Sequence, residues 1–391
     1  MTDKAIQVFK PYYRTEEIIE EVRECLDIGW TGLGYKTIKF EQDFKKYSGF
    51  NNAHFLNSAT AGLELALKVL KDHFKWDYGD EVITTALTFV SSNHAIIQNG
   101  LTPVFADVDE GLCLDIKSIK LAVTEKTRAV MFVGLGGNVG QYESIVKFCR
   151  EKGLKIILDA AHMAGTKIIR CAKKDNVKCV HVGHDADVTV FSFQAVKNLP
   201  TADSGMICFR DRALDSIARK LSWLGIDKDT FSRSDSKGTY NWDYDVIDYG
   251  FKSHGNSIMA SLGIVGLRYL DKDNERRRYI ASLYSDGFKG NSNIIEVPHS
   301  DKCISSRHLF QVRVKNRDEV MSILNLKNIF PGVHYKDNSN YKIYAQFSRL
   351  CPNAALASSE VVSLPLHLRL TDDDIHCIIW AVKEAVITSC Q

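Results

Sequence analysis

Residues 187–205 read Asp-Val-Thr-Val-Phe-Ser-Phe-Gln-Ala-Val-Lys-Asn-Leu-Pro-Thr-Ala-Asp-Ser-Gly. The apolar run at 188–193 is short and bounded by polar residues, as in a buried strand. A second such run, 206–209, follows at once. The polar loop between them carries one lysine, Lys197. Open α/β sheets bind ligands just beyond the carboxyl ends of their strands. A desolvated lysine there can lose its proton and attack a carbonyl as an amine. A solvated loop lysine is the competing interpretation, and the rest of the chain decides between them.

Residues 154–162, Leu-Lys-Ile-Ile-Leu-Asp-Ala-Ala-His, predict another buried strand, ending in Asp159 with His162 three positions on. An acid at a strand end can cap a helix, bind a metal or pair with a ring nitrogen. Pyridoxal phosphate (PLP) chemistry needs the last: a lysine to bond the cofactor, and an acid that keeps the pyridine nitrogen protonated. Asp159 and Lys197 would end two nearby strands, which allows that geometry. Asp-Ala-Ala-His and Phe-Ser-Phe-Gln-Ala-Val-Lys-Asn resemble the paired motifs of the DegT/StrS-type sugar aminotransferases, a branch of the fold type I PLP enzymes. The resemblance spans nearly the whole chain.

Strand–helix–strand alternation from about 53 to 209 predicts a largely parallel central sheet with helices on both faces. The resemblance implies the fold type I transferase architecture, with a smaller C-terminal α+β domain. The division is set at 1–265 for the large domain, with its N-terminal helical segment, and 266–391 for the small one. Predicted strands fall at 53–56, 81–85, 101–107 and 128–135. Predicted helices cover 13–29, 38–47, 116–123, 317–326 and 372–387. Residues 331–335 predict a turn entering a strand, and 227–237 an exposed loop. The charged run 271–278 reads as the solvated face of a helix.

At 57–67, Asn-Ser-Ala-Thr-Ala-Gly-Leu-Glu-Leu-Ala-Leu marks a helix start. Ser58 or Thr60 can be a plain cap, and the same free N–H groups attract a phosphate. The resemblance implies that Ala59, Thr60 and Ser192 hold the PLP phosphate, together with Lys252 of a neighbouring subunit. It also places Phe89 and His162 against the cofactor ring, Asp159 on the ring nitrogen and Lys197 as the bonding amine. Residues 134–138, Gly-Leu-Gly-Gly-Asn, lack either nucleotide-loop spacing and are only a weak phosphate-loop candidate. Departures from the family pattern at Gly134, Gln194, Asp203, Ser204 and His254 bear on substrate choice rather than reaction class.

Fifty basic and 48 acidic residues leave a net charge of +2, no electrostatic case for nucleic acid or an anionic membrane. No apolar run reaches transmembrane length, and the first residues lack a signal-peptide core. The ten cysteines show no Cys-x-x-Cys spacing, which points to reduced thiols in the cytoplasm. Cys171, Cys179, His181 and His184 match no standard zinc spacing, and no metal site is expected.

The resemblance therefore implies an aminotransferase that moves an amino group, by analogy from L-glutamate, to a nucleotide-linked keto deoxysugar for amino-sugar or surface polysaccharide synthesis. A shared active site would make it a homodimer. The alternatives are a keto sugar without a nucleotide, or a non-catalytic PLP-fold sensor. A dinucleotide oxidoreductase ranks last, since no Gly-x-Gly-x-x-Gly follows a strand.

Overall fold

The computed structural model describes residues 4–171, 177–227 and 243–389. Its centre is a seven-stranded sheet in the spatial order His54–Leu56, Gly205–Phe209, Val188–Ser192, Lys155–Asp159, Thr127–Val133, Glu81–Thr85, Thr102–Ala106. Gly205–Phe209 runs antiparallel to both neighbours, and every other pair is parallel. Two apolar clusters, one on each face, bury the sheet. One holds Phe132, Leu158 and Phe191, and the other Met131, Ile157 and Val190. Consecutive strand residues thus point to opposite layers, and that is why these strands read as continuous apolar runs.

The predicted elements appear with small shifts at their ends. Helices Thr15–Ile28, Ile116–Ala122, Arg317–Leu326 and Asp372–Thr388 lie where periodicity put them. Helix Tyr35–Ser48 begins three residues before the expected start at 38. Gly29, Gly49 and Gly153 each end a helix in the left-handed region, at φ of 76°, 81° and 71°. A Cβ is disfavoured there. Residues 331–335 depart from expectation: they leave the short strand Ile329–Phe330 rather than enter one. The loop expected at 227–237 lies, apart from Asp227, outside the described residues.

Helix Ser257–Phe288 runs for 32 residues through both halves of the molecule. Its first half gives Ala260, Ile264, Leu267 and Leu270 to the large core. Its second half gives Ile280, Ala281, Tyr284 and Phe288 to the C-terminal core, beside Phe310, Val312 and Ile378. Each buried Ile, Leu, Val or Phe among them contributes about 1.5–3 kcal/mol.

Only one side of the charged run at 271–278 is a solvated face, with Asp271, Lys272 and Glu275 exposed. Asp273, Asn274 and Arg277 are all buried. Asp273 receives both Arg14 guanidinium nitrogens, at 2.9 and 2.7 Å, and Arg277 Nη1 donates to Leu366 O at 3.0 Å. The N-terminal segment and the small core cover the other side of the helix, so Asp273 and Arg277 are paired inward. Among the described residues no helix is long and apolar enough to cross a membrane.

Candidate active site

Three adjacent parallel strands end at Val133, Asp159 and Ser192, and all three residues line one cavity of about 450 Å³. Ala59, Thr60, Phe89, His162 and Lys197 line it too. The structure thus gathers seven of the eight residues singled out from sequence. The eighth, Lys252, does not line its own chain's cavity. It is exposed, with Nζ 3.2 Å from the centroid of the Trp223 ring. Its backbone oxygen accepts from Asn57 Nδ2 at 3.3 Å, beside the start of helix Ala59–Phe74.

That helix start is one wall. Ser58 caps it, its Oγ accepting from Ala61 N at 3.1 Å. The first-turn N–H groups of a helix have no intrahelical partner, and the helix dipole adds positive charge there. A Cβ on residue 205 would lie 2.7 Å from Ala59 N. Gly205 is therefore what lets the strand backbone approach the helix opening. The Ser192, Ser204 and Thr60 side chains stand around the same end. This is a donor-rich cradle suited to a phosphate.

Asp159 is buried at the middle of the cavity. Its Oδ2 accepts from Ser92 Oγ at 2.7 Å and its Oδ1 from Ala161 N at 3.1 Å. Burial raises its pKa, while the Ser92 hydrogen bond and the Lys197 charge oppose the rise. Burial pushes the Lys197 amine down to about 8, against the pull of Asp159. Among the described residues Lys197 Nζ has no hydrogen-bond partner. A desolvated, unbonded amine is poised as a nucleophile. The groups fit PLP end to end: a phosphate cradle, a carboxylate for the pyridine nitrogen and a free amine for the aldehyde.

His162 is held from both sides. Its Nδ1 accepts from Gly136 N at 3.2 Å, and its Nε2 meets Tyr335 Oη at 3.2 Å. The glycine-rich segment 134–138, a single turn at Leu135–Gly137, thus supports the histidine ring. A Cβ on Gly134 would lie 2.0 Å from Met163 Sδ. Met163 fills the space that a side chain at 134 would need. Phe89 is 58% exposed, at the mouth of the cavity. Its ring centroid is 6.0 Å from that of Tyr335.

Sequence reasoning missed four parts of this site. Ser92, the donor to Asp159, looked like an ordinary loop residue before a helix. His308 gave no pattern signal, because a lone histidine at the edge of an apolar run carries none. His334 and Tyr335 belonged to a segment read only as a turn entering a strand. Elsewhere, His181 Nε2 accepts from Gly165 N at 3.2 Å and His184 Nε2 bonds Ser48 O at 3.0 Å. These two histidines are structural.

The family model described as the DegT/DnrJ/EryC1/StrS aminotransferase family matches residues 13–383. The spore coat polysaccharide biosynthesis protein SpsC of Bacillus subtilis is 35% identical over 388 residues, 95% of either chain. The dTDP-4-dehydro-2,3,6-trideoxy-D-glucose 4-aminotransferase of Saccharopolyspora spinosa is 33% identical, covering 97% of both chains. Among solved structures, the putative sugar aminotransferase Spr1654 from Streptococcus pneumoniae, in its PLP form, superposes with a TM-score of 0.87 at 30% identity. That match covers 99% of this chain and 100% of the other.

Proposed function

This chain belongs to the DegT/DnrJ/EryC1/StrS aminotransferase family, and from that premise we propose that it carries an amino group from L-glutamate to the keto carbon of a nucleotide-linked deoxysugar. It is a transaminase and its cofactor is PLP. The observation that carries the reading is the meeting, in one cavity, of an unbonded, half-buried lysine, a buried carboxylate and an open helix N-terminus. The sugar acceptor is supported by relatives named for spore coat polysaccharide synthesis and for a dTDP-linked keto sugar.

Bound PLP supplies an aldehyde for the lysine and a ring that draws electrons from the carbon losing its proton. Ala59, Thr60 and Ser192 would hold the phosphate through N–H and O–H donors. Asp159 would hold the ring nitrogen, stabilising its protonated form by charge and hydrogen bond. Phe89 and His162 would bracket the ring. Lys197 would anchor the cofactor, give way to the amino donor, and then move the proton between the donor carbon and the cofactor's C4′. One side chain thus serves as leaving amine and as proton carrier.

Lys252 is assigned to the phosphate of a neighbouring subunit, which makes a two-fold dimer the smallest active unit. Its outward position supports this, as do the exposed apolar side chains Val246, Ile247, Tyr249 and Phe251 just before it. The proposed compartment is the cytoplasm, a reading supported by the free thiols of Cys25, Cys113, Cys149 and Cys208 in the core. We propose the division at 265/266, inside helix Ser257–Phe288, whose Leu267 and Leu270 still pack in the large core.

The test is the visible absorption of purified protein with PLP, before and after L-glutamate. Wild type is expected to show a lysine-bound cofactor band that glutamate removes and a nucleotide-linked keto sugar restores. Lys197→Ala is expected to show neither. A wild-type band that no amino donor removes would overturn the transaminase step. A band restored equally by free keto sugars would overturn the nucleotide requirement.

A further inference from the structure

Two imidazoles on the cavity wall have their hydrogen-bond polarity fixed by buried neighbours. Asn198, next in the chain to Lys197, donates from Nδ2 to Ser306 O at 2.7 Å. A backbone oxygen only accepts, so this contact fixes which end of the amide is nitrogen. The same Nδ2 donates to Asn274 Oδ1 at 2.7 Å. Asn274 is oriented in turn by its own Nδ2, which donates to Ala164 O at 2.9 Å. Asn198 therefore turns its oxygen toward His308 Nδ1, at 2.9 Å. An amide oxygen cannot donate, so His308 Nδ1 carries a hydrogen. Asn198, Asn274 and His308 are all buried.

The other nitrogen, Nε2, has no protein partner among the described residues, and the ring lines the cavity. Burial, with the neighbouring Lys197 and Arg277 charges, depresses the His308 pKa well below the ordinary value. The ring stays neutral and Nε2 keeps its lone pair. Phe9 stacks on the ring, with centroids 5.2 Å apart and planes 12° apart. His162 packs at 4.3 Å. The lone pair is thus held in a fixed direction.

The same logic applied to His162 gives the opposite polarity. Gly136 N–H can only donate, so His162 Nδ1 accepts and Nε2 carries the hydrogen. That hydrogen goes to Tyr335 Oη. The tyrosine's own hydrogen is left for the cavity. One wall therefore offers a fixed acceptor, His308 Nε2, and a fixed donor, Tyr335 Oη.

PLP does not match that acceptor. Its phosphate and phenolate oxygens accept, and its one ring N–H is assigned to Asp159. We propose that His308 is a specificity-determining residue whose Nε2 accepts a hydrogen bond from a hydroxyl group of the incoming keto sugar, with Tyr335 as the complementary donor. The proposal rests on the sugar aminotransferase reading. It selects acceptors that carry a hydroxyl near the reacting carbonyl, because a deoxy analogue would leave a buried lone pair without a partner.

Two measurements test it. In holoenzyme with nitrogen-15-labelled histidine, the His308 side-chain signals should show Nδ1–H and a bare Nε2 from pH 6 to 8. The opposite tautomer, or an imidazolium, would overturn the proposal without reference to activity. Second, kcat/KM is compared for keto sugars that differ only in the hydroxyl beside the carbonyl. Wild type should favour the hydroxylated sugar by at least about tenfold. His308→Phe, which keeps the stacked ring, should lose that preference, and His308→Gln, whose amide oxygen can replace Nε2, should keep much of it. The PLP absorption band of each variant checks that the site has formed. Transfer by wild type without any preference would remove this proposal alone. Absence of transfer to either sugar would remove the functional reading and the proposal with it.

Discussion

Replacing Ser92 by alanine isolates one hydrogen bond whose effect can be calculated. Ser92 Oγ donates to Asp159 Oδ2 at 2.7 Å, and Thr88 Oγ1 stands 3.1 Å behind it. With the serine proton committed to the carboxylate, Thr88 donates into Ser92, so the two hydroxyls form a relay that ends on the acid. A hydrogen bond to a charged group contributes about 1.5–3 kcal/mol. At about 1.4 kcal/mol per unit, its loss raises the Asp159 pKa by about 1–2 units. Burial already raises that pKa and the serine opposes the rise, so alanine moves it further up. Only the ionised acid accepts from the ring N–H, and that form exists above the pKa. Activity is therefore lost as pH falls, and the variant loses it earlier. The assay is the rate at which L-glutamate removes the lysine-bound PLP band, measured from pH 5 to 9. The acid limb should move up by about 1–2 units in Ser92→Ala and stay near the wild-type position in Ser92→Thr. Coincident limbs for wild type and Ser92→Ala would refute the assignment of Ser92 as the group that keeps Asp159 ionised.

Lys197→Met should stabilise the cofactor-free protein. The amine is held near 8 instead of its usual 10.5, a penalty of about 3 kcal/mol, complete below pH 8 and gone above about 10.5. Denaturant midpoints of both proteins at pH 7 and pH 10.5 check the size and the sign. Coexpression of Lys197→Ala with Lys252→Ala should return about a quarter of wild-type activity, since random pairing leaves one complete site in half of the dimers. If Lys252 acted within its own subunit, coexpression would return none beyond the residual rate of the parents. Gly134→Ala should destabilise by about 1–3 kcal/mol, because its Cβ meets Met163 Sδ at 2.0 Å. Adding Met163→Ala should relieve much of that overpacking, a coupling visible in a double-mutant cycle of thermal midpoints.

The elements that carry a strong period were legible from the chain alone. Val188–Ser192 and Lys155–Asp159 are covered on both faces, so their apolar runs announce strands, and Asp159 and Lys197 inherit their places from strand ends. Ser58 announced a helix start because a cap needs a side-chain acceptor at that position. Ser92 was silent, since its role depends on a strand end 67 residues away. His308 was silent for the same reason: its partner Asn198 is 110 residues distant. The run at 271–278 misled on one side only, because charge implies solvent only where a face of the helix is free. Here Asp273 and Arg277, four apart, share a face that other layers cover. Pattern reports the first layer packed on an element, and the second layer decided these residues.

An unbroken helix through both cores also limits how the molecule can move. Every turn of Ser257–Phe288 is tied to the next by backbone bonds, with no hinge along its length. Lys197 and Asp159 stand on one side of the cavity, and His308, His334 and Tyr335 come from the other half of the chain. A jaw that closed on substrate would have to bend this shaft, at the cost of a turn of hydrogen bonds. An unbroken shaft through both cores therefore resists any change in the cavity's width. Discrimination among sugars is built in before the ligand arrives, and turnover needs no large swing of one half against the other.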